Sequence, residues 1–283
     1  MHSKNIEIVN KLIQKTSRYS ELVEEALIKE LRPYSNSKFY QPLLYSLDGG
    51  KRIRPMMLLL ATDAVRGDMM KSMSAAVAIE LLHTESIIHD DIIDEESSRR
   101  EKSAFHIEYG ISTSLLSADY VFGIILDLAS GSSNGKITKE LSTIALRMCE
   151  GEFTEIKINS EHPSITWEEY IEIISKKTAA LFQGATKIGA IAGGGSEGEV
   201  KTLAEYGLYI GIAYQIQDDI IDWSNDQKIV RALVVDGEST RNHLSKMAFM
   251  YSSMAKKCLE RLPDSQAKDM LIELAEFTVL RTN

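Results

Sequence analysis

Proline is scarce in this sequence, five in 283 residues, so little interrupts long helices. Strict alternation of apolar and polar residues is also rare, and apolar residues recur instead at three- and four-residue spacing. That periodicity predicts an all-α protein. Only two cysteines occur, Cys149 and Cys258, too far apart for zinc-type spacing and too few for a disulfide framework. Basic residues are outnumbered, 32 Lys and Arg against 41 Asp and Glu for a net charge of −9, which argues against a nucleic-acid surface and favours bound cations. The opening Met1-His2-Ser3-Lys4-Asn5-Ile6-Glu7 lacks the basic head and apolar core of a signal peptide. No uninterrupted apolar run approaches the roughly 20 residues of a membrane span. A cytoplasmic location without stable membrane insertion is expected.

What the sequence has is apolar residues, 44% of the total, enough for a large core. Helical spacing runs from Ile6 to Leu31 and stops at Arg32-Pro33. The turn signal Asp48-Gly49-Gly50 is followed by Lys51-Arg52-Ile53-Arg54-Pro55 and the apolar run Met56 to Ala61. A helix apolar around most of its circumference is predicted from Ser72 to Glu95, as in the middle of a bundle. Further helices are predicted over Ser114–Leu128, Lys139–Ile156, Thr166–Ile191, Val200–Trp223 and Ser245–Arg281. No low-complexity linker divides the chain, so one domain over residues 1–283 is expected.

Two clusters are spelled identically, Asp-Asp-Ile-Ile-Asp, at Asp90 to Asp94 and Asp218 to Asp222. Residues i and i+4 share a helix face, so Asp90 stands beside Asp94 and Asp218 beside Asp222. Carboxylates at the end of an apolar helix need compensating charge. Magnesium suits such a pair, because it takes few protein carboxylates and completes its octahedron with water and phosphate oxygens. The plain alternative is a solvated acidic helix end, and the exact repetition argues against it. An EF-hand is excluded by the missing loop glycine and twelfth-position Glu. Lys51, Arg54, Arg99, Arg100 and Lys177 are candidate partners for phosphate oxygens. His83, two turns before Asp90, faces the same side as the claw, although a lone His on an apolar helix is more often a core residue.

These segments, together with Glu80-Leu81-Leu82-His83, Lys177-Thr178 and Tyr214-Gln215-Ile216-Gln217 before Asp218, resemble the trans-isoprenyl diphosphate synthases, the polyprenyl synthetase family, in order and in spacing. The resemblance implies an isoprenoid synthase fold, a bundle of roughly ten or more helices around a central cavity. It implies that Asp90, Asp94, Asp218 and Asp222 hold Mg2+, three ions once the allylic diphosphate is bound. Arg99, Lys177, Thr178 and Gln215 would bind that diphosphate, with Lys177, Thr178 and Gln215 also as the catalytic residues, Thr178 and Gln215 protecting the carbocation. Lys51, Arg54, His83 and Arg100 would hold isopentenyl diphosphate. Homodimers packed through central helices are common in the family, and the same is expected here.

Two departures stand out. Family members usually carry Gly after the paired arginines, where this chain has Glu101. The second cluster is normally followed by a long lysine-containing loop, whereas here Asn225-Asp226-Gln227-Lys228 runs straight into Ile229-Val230-Arg231-Ala232-Leu233, leaving Lys228 as the candidate for the allylic diphosphate. Bulk before the first cluster sets product length in this family. Ser86 and Glu85 are not aromatic, and Leu82, Leu81 and Ala78 one to two turns earlier are of middling size, so a twenty-carbon product, geranylgeranyl diphosphate, is expected. The alternatives are a farnesyl or longer-chain synthase, a terpene cyclase, which would have a different second metal motif, or a non-catalytic regulatory subunit.

Overall fold

A computed structural model describes residues 2–131, 134–161, 164–224, 229–234 and 239–281, with side chains from Gln14 onward apart from that of residue 224. The chain is all-helical, as its periodicity predicts. Helix α1 (His2–Leu31) ends at the Pro33 turn and is followed by α2 (Tyr40–Leu47) and α3 (Ile53–Ala64). Residues Met57 to Ala61 of α3 are wholly buried, which places this helix at the centre. Around it lie α1, α4 (Met73–Ile93), α9 (Ala180–Ala192) and α12 (Gln266–Leu280). Ala76, Val77, Ile79 and Leu81 of α4 are equally buried, which is why that helix shows no polar face in the sequence.

After α4 the chain makes a β-hairpin, β1 (Ser98–Arg99) paired antiparallel with β2 (Lys102–Ser103), then a short α5 (Phe105–Tyr109). Neither was foreseen, since two-residue strands carry no periodicity. Helices α6 (Ile111–Ser130) and α7 (Gly135–Glu161) form one side of the bundle. Among the described residues α6 is the one helix long and apolar enough to cross a membrane, and a third of its most apolar stretch is buried within the bundle.

The helix expected over Thr166–Ile191 is interrupted. It consists of α8 (Trp167–Ile174), a π-helical segment at Ser175–Ala179 and α9. Thr166 starts it with a capping box completed by Glu169. The second cluster ends α10 (Glu197–Ile221), itself opened by the capping box of Ser196 and Glu199. The single last helix expected from Ser245 to Arg281 is two. Helix α11 (Thr240–Leu259) stops before Pro263, and Ser265 caps α12. Proline has no N–H to continue α11, and the break turns α12 back against α3 and α10.

Candidate active site

The turn before α3 is built by a residue the sequence reading left without a role. Arg52 has a left-handed backbone (φ 52°), and its side chain is 6% exposed. Its Nε donates to Glu24 and its Nη1 to buried Glu80, both at 2.7 Å, which ties α1 and α4 to the turn. With Arg52 turned inward, Lys51 and Arg54 border a cavity of about 540 Å3. Arg54 lies 4.5 Å over the Phe182 ring, and its Nη1 is 2.9 Å from His83 Nε2. Guanidinium can only donate, so Nε2 accepts and the imidazole carries its hydrogen on Nδ1. Burial and the neighbouring Arg54 hold His83 neutral, well below the ordinary histidine pKa. Arg54 Nε is buried without a protein partner.

The two acidic clusters face each other across this cavity. Asp90 and Asp94 border it from α4, and Asp218 and Asp222 from the end of α10. Burial raises the Asp90 pKa to about 7, against the opposing pull of Lys177. Burial likewise raises Asp218, opposed by Arg281, whose Nη1 lies 2.7 Å from Asp218 Oδ1. The middle aspartates differ. A one-residue step rotates a side chain by about 100°, so Asp91 leaves the claw, is 1% exposed, and accepts from Arg99 Nε at 2.5 Å. Asp219 accepts from the Tyr170 hydroxyl and, at 2.9 Å, from Gln215 Nε2.

Arg99 and Arg100 reach the cavity from the hairpin. Its two-residue loop is Arg100-Glu101, and both residues have left-handed backbones, φ 53° and 62°. That is the pattern of a type I′ turn, which explains physically why glycine suits the position of Glu101. Arg100 Nη1 donates to the Asp48 carbonyl at 3.1 Å, joining the hairpin to the Gly49 turn.

Lys177 and Thr178 lie within the π segment. Its wider turn is held between two close neighbours: a Cβ on Gly151 of α7 would stand 2.4 Å from Lys177 N, and one on Gly211 of α10 2.7 Å from Ala179 Cα. Two carboxylates on α7 that the sequence reading missed hold Lys177, Glu152 at 2.6 Å and Glu155 at 2.9 Å. Burial disfavours the ammonium, but Glu155, Asp90 and Glu152 together keep its pKa well above the ordinary lysine value. The signal for both was their spacing, three residues apart after Gly151. Thr178 Oγ1 donates to Gln215 Oε1 at 2.8 Å. Lys228 lies outside the described residues.

A second, mostly apolar cavity of about 590 Å3 continues from the first, sharing Arg54, His83, Asp90, Lys177 and Thr178 in its lining. Leu82, Phe122, Met148, Phe153 and Leu181 are among its walls. Leu81 and Ala78, expected near its floor, are instead buried in the core and do not border it. Glu85 does border it, and His89 Nδ1, one turn along α4, lies 3.1 Å from its carboxylate.

Among the described residues no three acidic, His or Cys side chains form a ready-made metal cage. Pairs of carboxylates with open space between them are what a cation completed by phosphate oxygens requires.

Known proteins resemble this chain in sequence and in fold. The short chain isoprenyl diphosphate synthase of Methanothermobacter thermautotrophicus is 32% identical over 317 aligned positions, covering 93% of this chain and 97% of that protein. The alignment exceeds 283 residues, so that relative carries segments this chain does not. The crystal structure of the geranylgeranyl pyrophosphate synthetase from Pyrococcus horikoshii Ot3 superposes with a TM-score of 0.88 at 26% identity, over 96% of this chain and 99% of that one. A polyprenyl synthase from Caulobacter crescentus CB15, solved with calcium and isoprenyl diphosphate, gives 0.86 at 25% identity, over 97% and 98%. The family model for polyprenyl synthetase matches residues 36–266, and with the paired acidic claws above a basic turn this chain belongs to that family.

Proposed function

We propose that this chain is a prenyltransferase that joins an allylic prenyl diphosphate head-to-tail to isopentenyl diphosphate, with geranylgeranyl diphosphate as product, working as one domain. The observation that carries the reading is the junction of two cavities, one lined by opposed carboxylates and by bases, the other mostly apolar. Relatives named for geranylgeranyl and short-chain products support it.

Lys51, Arg54, His83 and Arg100 form the basic wall that suits the diphosphate of isopentenyl diphosphate, with the unpaired Arg54 Nε as a free donor. Asp90, Asp94, Asp218 and Asp222 fit magnesium, since they border the cavity as carboxylate pairs from two sides, and burial disfavours the charge on Asp90 and Asp218 that a divalent cation would stabilise. Magnesium, when bound, would neutralise the leaving diphosphate. Arg99 and Lys177 reach the same space from two sides and stabilise the charge that builds there. The allylic carbon–oxygen bond breaks with its electron pair going to the diphosphate. The double bond of isopentenyl diphosphate supplies the pair for the new carbon–carbon bond, and the proton lost next passes to the departed diphosphate. Thr178 stands where the two cavities meet, with Gln215 hydrogen-bonded to it from the polar one, and the pair shields the cation from water. The growing chain extends toward Leu82, Phe122 and Phe153.

The cavity wall also bears on assembly. Leu115, Leu116 and Leu126 of α6 and Leu146 and Phe153 of α7 are exposed, an apolar face that suits a homodimer. Phe153 and Leu146 border the apolar cavity as well, so a second copy on this face would close its side.

One assay tests the reading. Labelled isopentenyl diphosphate and an allylic starter should give a diphosphate product that, after treatment with a phosphatase, runs as a twenty-carbon alcohol by chromatography. A product stopping at fifteen, or running past twenty-five, overturns the length. Absence of any condensation with bound diphosphate analogue intact would point to a non-catalytic subunit. Asp90→Ala should abolish turnover and leave the helical spectrum unchanged.

A further inference from the structure

We propose that Asp219 and Tyr170 are positioning residues that fix the sense of the Thr178 hydroxyl, turning its oxygen lone pairs toward the ionising allylic carbon. The proposal rests on the reaction given above. Four side chains from α8, the π segment and α10 form one relay. Tyr170 is completely buried, and its hydroxyl donates to Asp219 Oδ2. Gln215 Nε2 donates to Asp219 Oδ1 at 2.9 Å. A carboxylate accepts only, so the Gln215 amide cannot turn over: its nitrogen must face Asp219 and its Oε1 must face Thr178.

The Thr178 hydroxyl has one hydrogen, and it is committed to Gln215 Oε1 at 2.8 Å. What it can offer to the space it borders is therefore oxygen. Thr178 lines both cavities, so it stands where the diphosphate end and the hydrocarbon end of an allylic substrate meet. A cation formed there meets the negative end of a fixed dipole, in a site with little water to reorganise. Without Asp219 the amide is free to rotate by half a turn and present N–H to Thr178. The hydroxyl hydrogen would then point at the developing positive charge. Neither Asp219 nor Tyr170 stands out in the sequence for this role, because spacing along one helix pairs Asp218 with Asp222 and says nothing of what Asp219 meets, and a lone Tyr on an apolar helix looks like core.

The test is a double-mutant cycle on the intact enzyme, with Asp219→Leu, Thr178→Val and the double variant, supported by Tyr170→Phe and Thr178→Ser. Asp219→Leu is expected to lower kcat about a hundredfold, the cost of one misdirected dipole, with KM for both diphosphates and the magnesium requirement unchanged. The double variant should be no slower than Thr178→Val, because the hydroxyl through which Asp219 acts is already gone. Thr178→Ser should keep most of the rate. A fluorinated allylic diphosphate, which ionises less readily, should be penalised more by Asp219→Leu than by the unmodified enzyme. Losses that multiply in the double variant, or a raised magnesium requirement, would show that Asp219 acts as a metal ligand and overturn the relay. If Asp219→Leu does not fold, Tyr170→Phe replaces it in the same cycle. An unmodified enzyme that forms no condensation product overturns the reaction itself, whereas normal turnover with multiplying losses overturns the relay alone.

Discussion

Glu101 holds a left-handed backbone, φ 62°, at the tip of the hairpin that carries Arg99 and Arg100. A side chain with a Cβ pays for that conformation and glycine does not, so Glu101→Gly should raise unfolding stability by about 0.5–1 kcal/mol in urea titrations. A neutral or lower value would mean that the loop relaxes in solution. Asp90 makes a different prediction. Its pKa is about 7 in the fold against 3.8 ordinarily, so the folded protein keeps a proton that the unfolded chain has released. Stability therefore falls as pH rises toward and through 7. His89, raised chiefly by its hydrogen bond to Glu85, acts in the same direction. His83 acts oppositely, but only below about its ordinary value of 6.5. Burial raises Asp219 to about 7 as well, so in a chelator thermal melts should drop between about pH 6.5 and 8, and Asp90→Asn should remove only part of the drop. Magnesium with a diphosphate should restore the loss, because it binds the ionised carboxylate.

Among the elements, the π segment at Ser175–Ala179 places the chemistry. Its i→i+5 turn sets Lys177 and Thr178 on the cavity, and such bulges are often found at functional sites. Gly151 lets α7 approach the backbone of Lys177. Alanine favours a helix interior over glycine by up to about 1 kcal/mol, so on propensity Gly151→Ala should stabilise α7. The contact at 2.4 Å decides otherwise. Gly151→Ala should lower kcat by about a hundredfold through displacement of Lys177 and Thr178, while circular dichroism stays helical. Unchanged kinetics would mean that the segment tolerates the shift. The sequence could not show this element, since an apolar run around Lys177 fits a plain α-helix equally well. The same limit hid α5 and the hairpin, both too short to carry a period.

For the molecule as a whole, the exposed apolar face of α6 and α7 and the open side of the apolar cavity belong to one surface. Leu116 is 57% exposed on that face, and Leu116→Arg should convert a dimer into a monomer in sedimentation and change the product length distribution. A wild-type monomer would remove the dimer reading.

The sequence by itself determined the helical class, the pairing of Asp90 with Asp94 and of Asp218 with Asp222, and the basic turn at Lys51 and Arg54. Those follow from spacing within one helix or one turn, where covalent geometry fixes which side chains share a face. The tertiary structure alone decided that Arg52 braces the fold while Arg54 enters the cavity, that Asp91 and Asp219 serve Arg99 and Gln215, and that Lys177 lies between Glu152 and Glu155. A charged side chain takes its role from the partner it meets, and except for Asp219 and Gln215, which are neighbours along α10, these partners come from other elements of the fold.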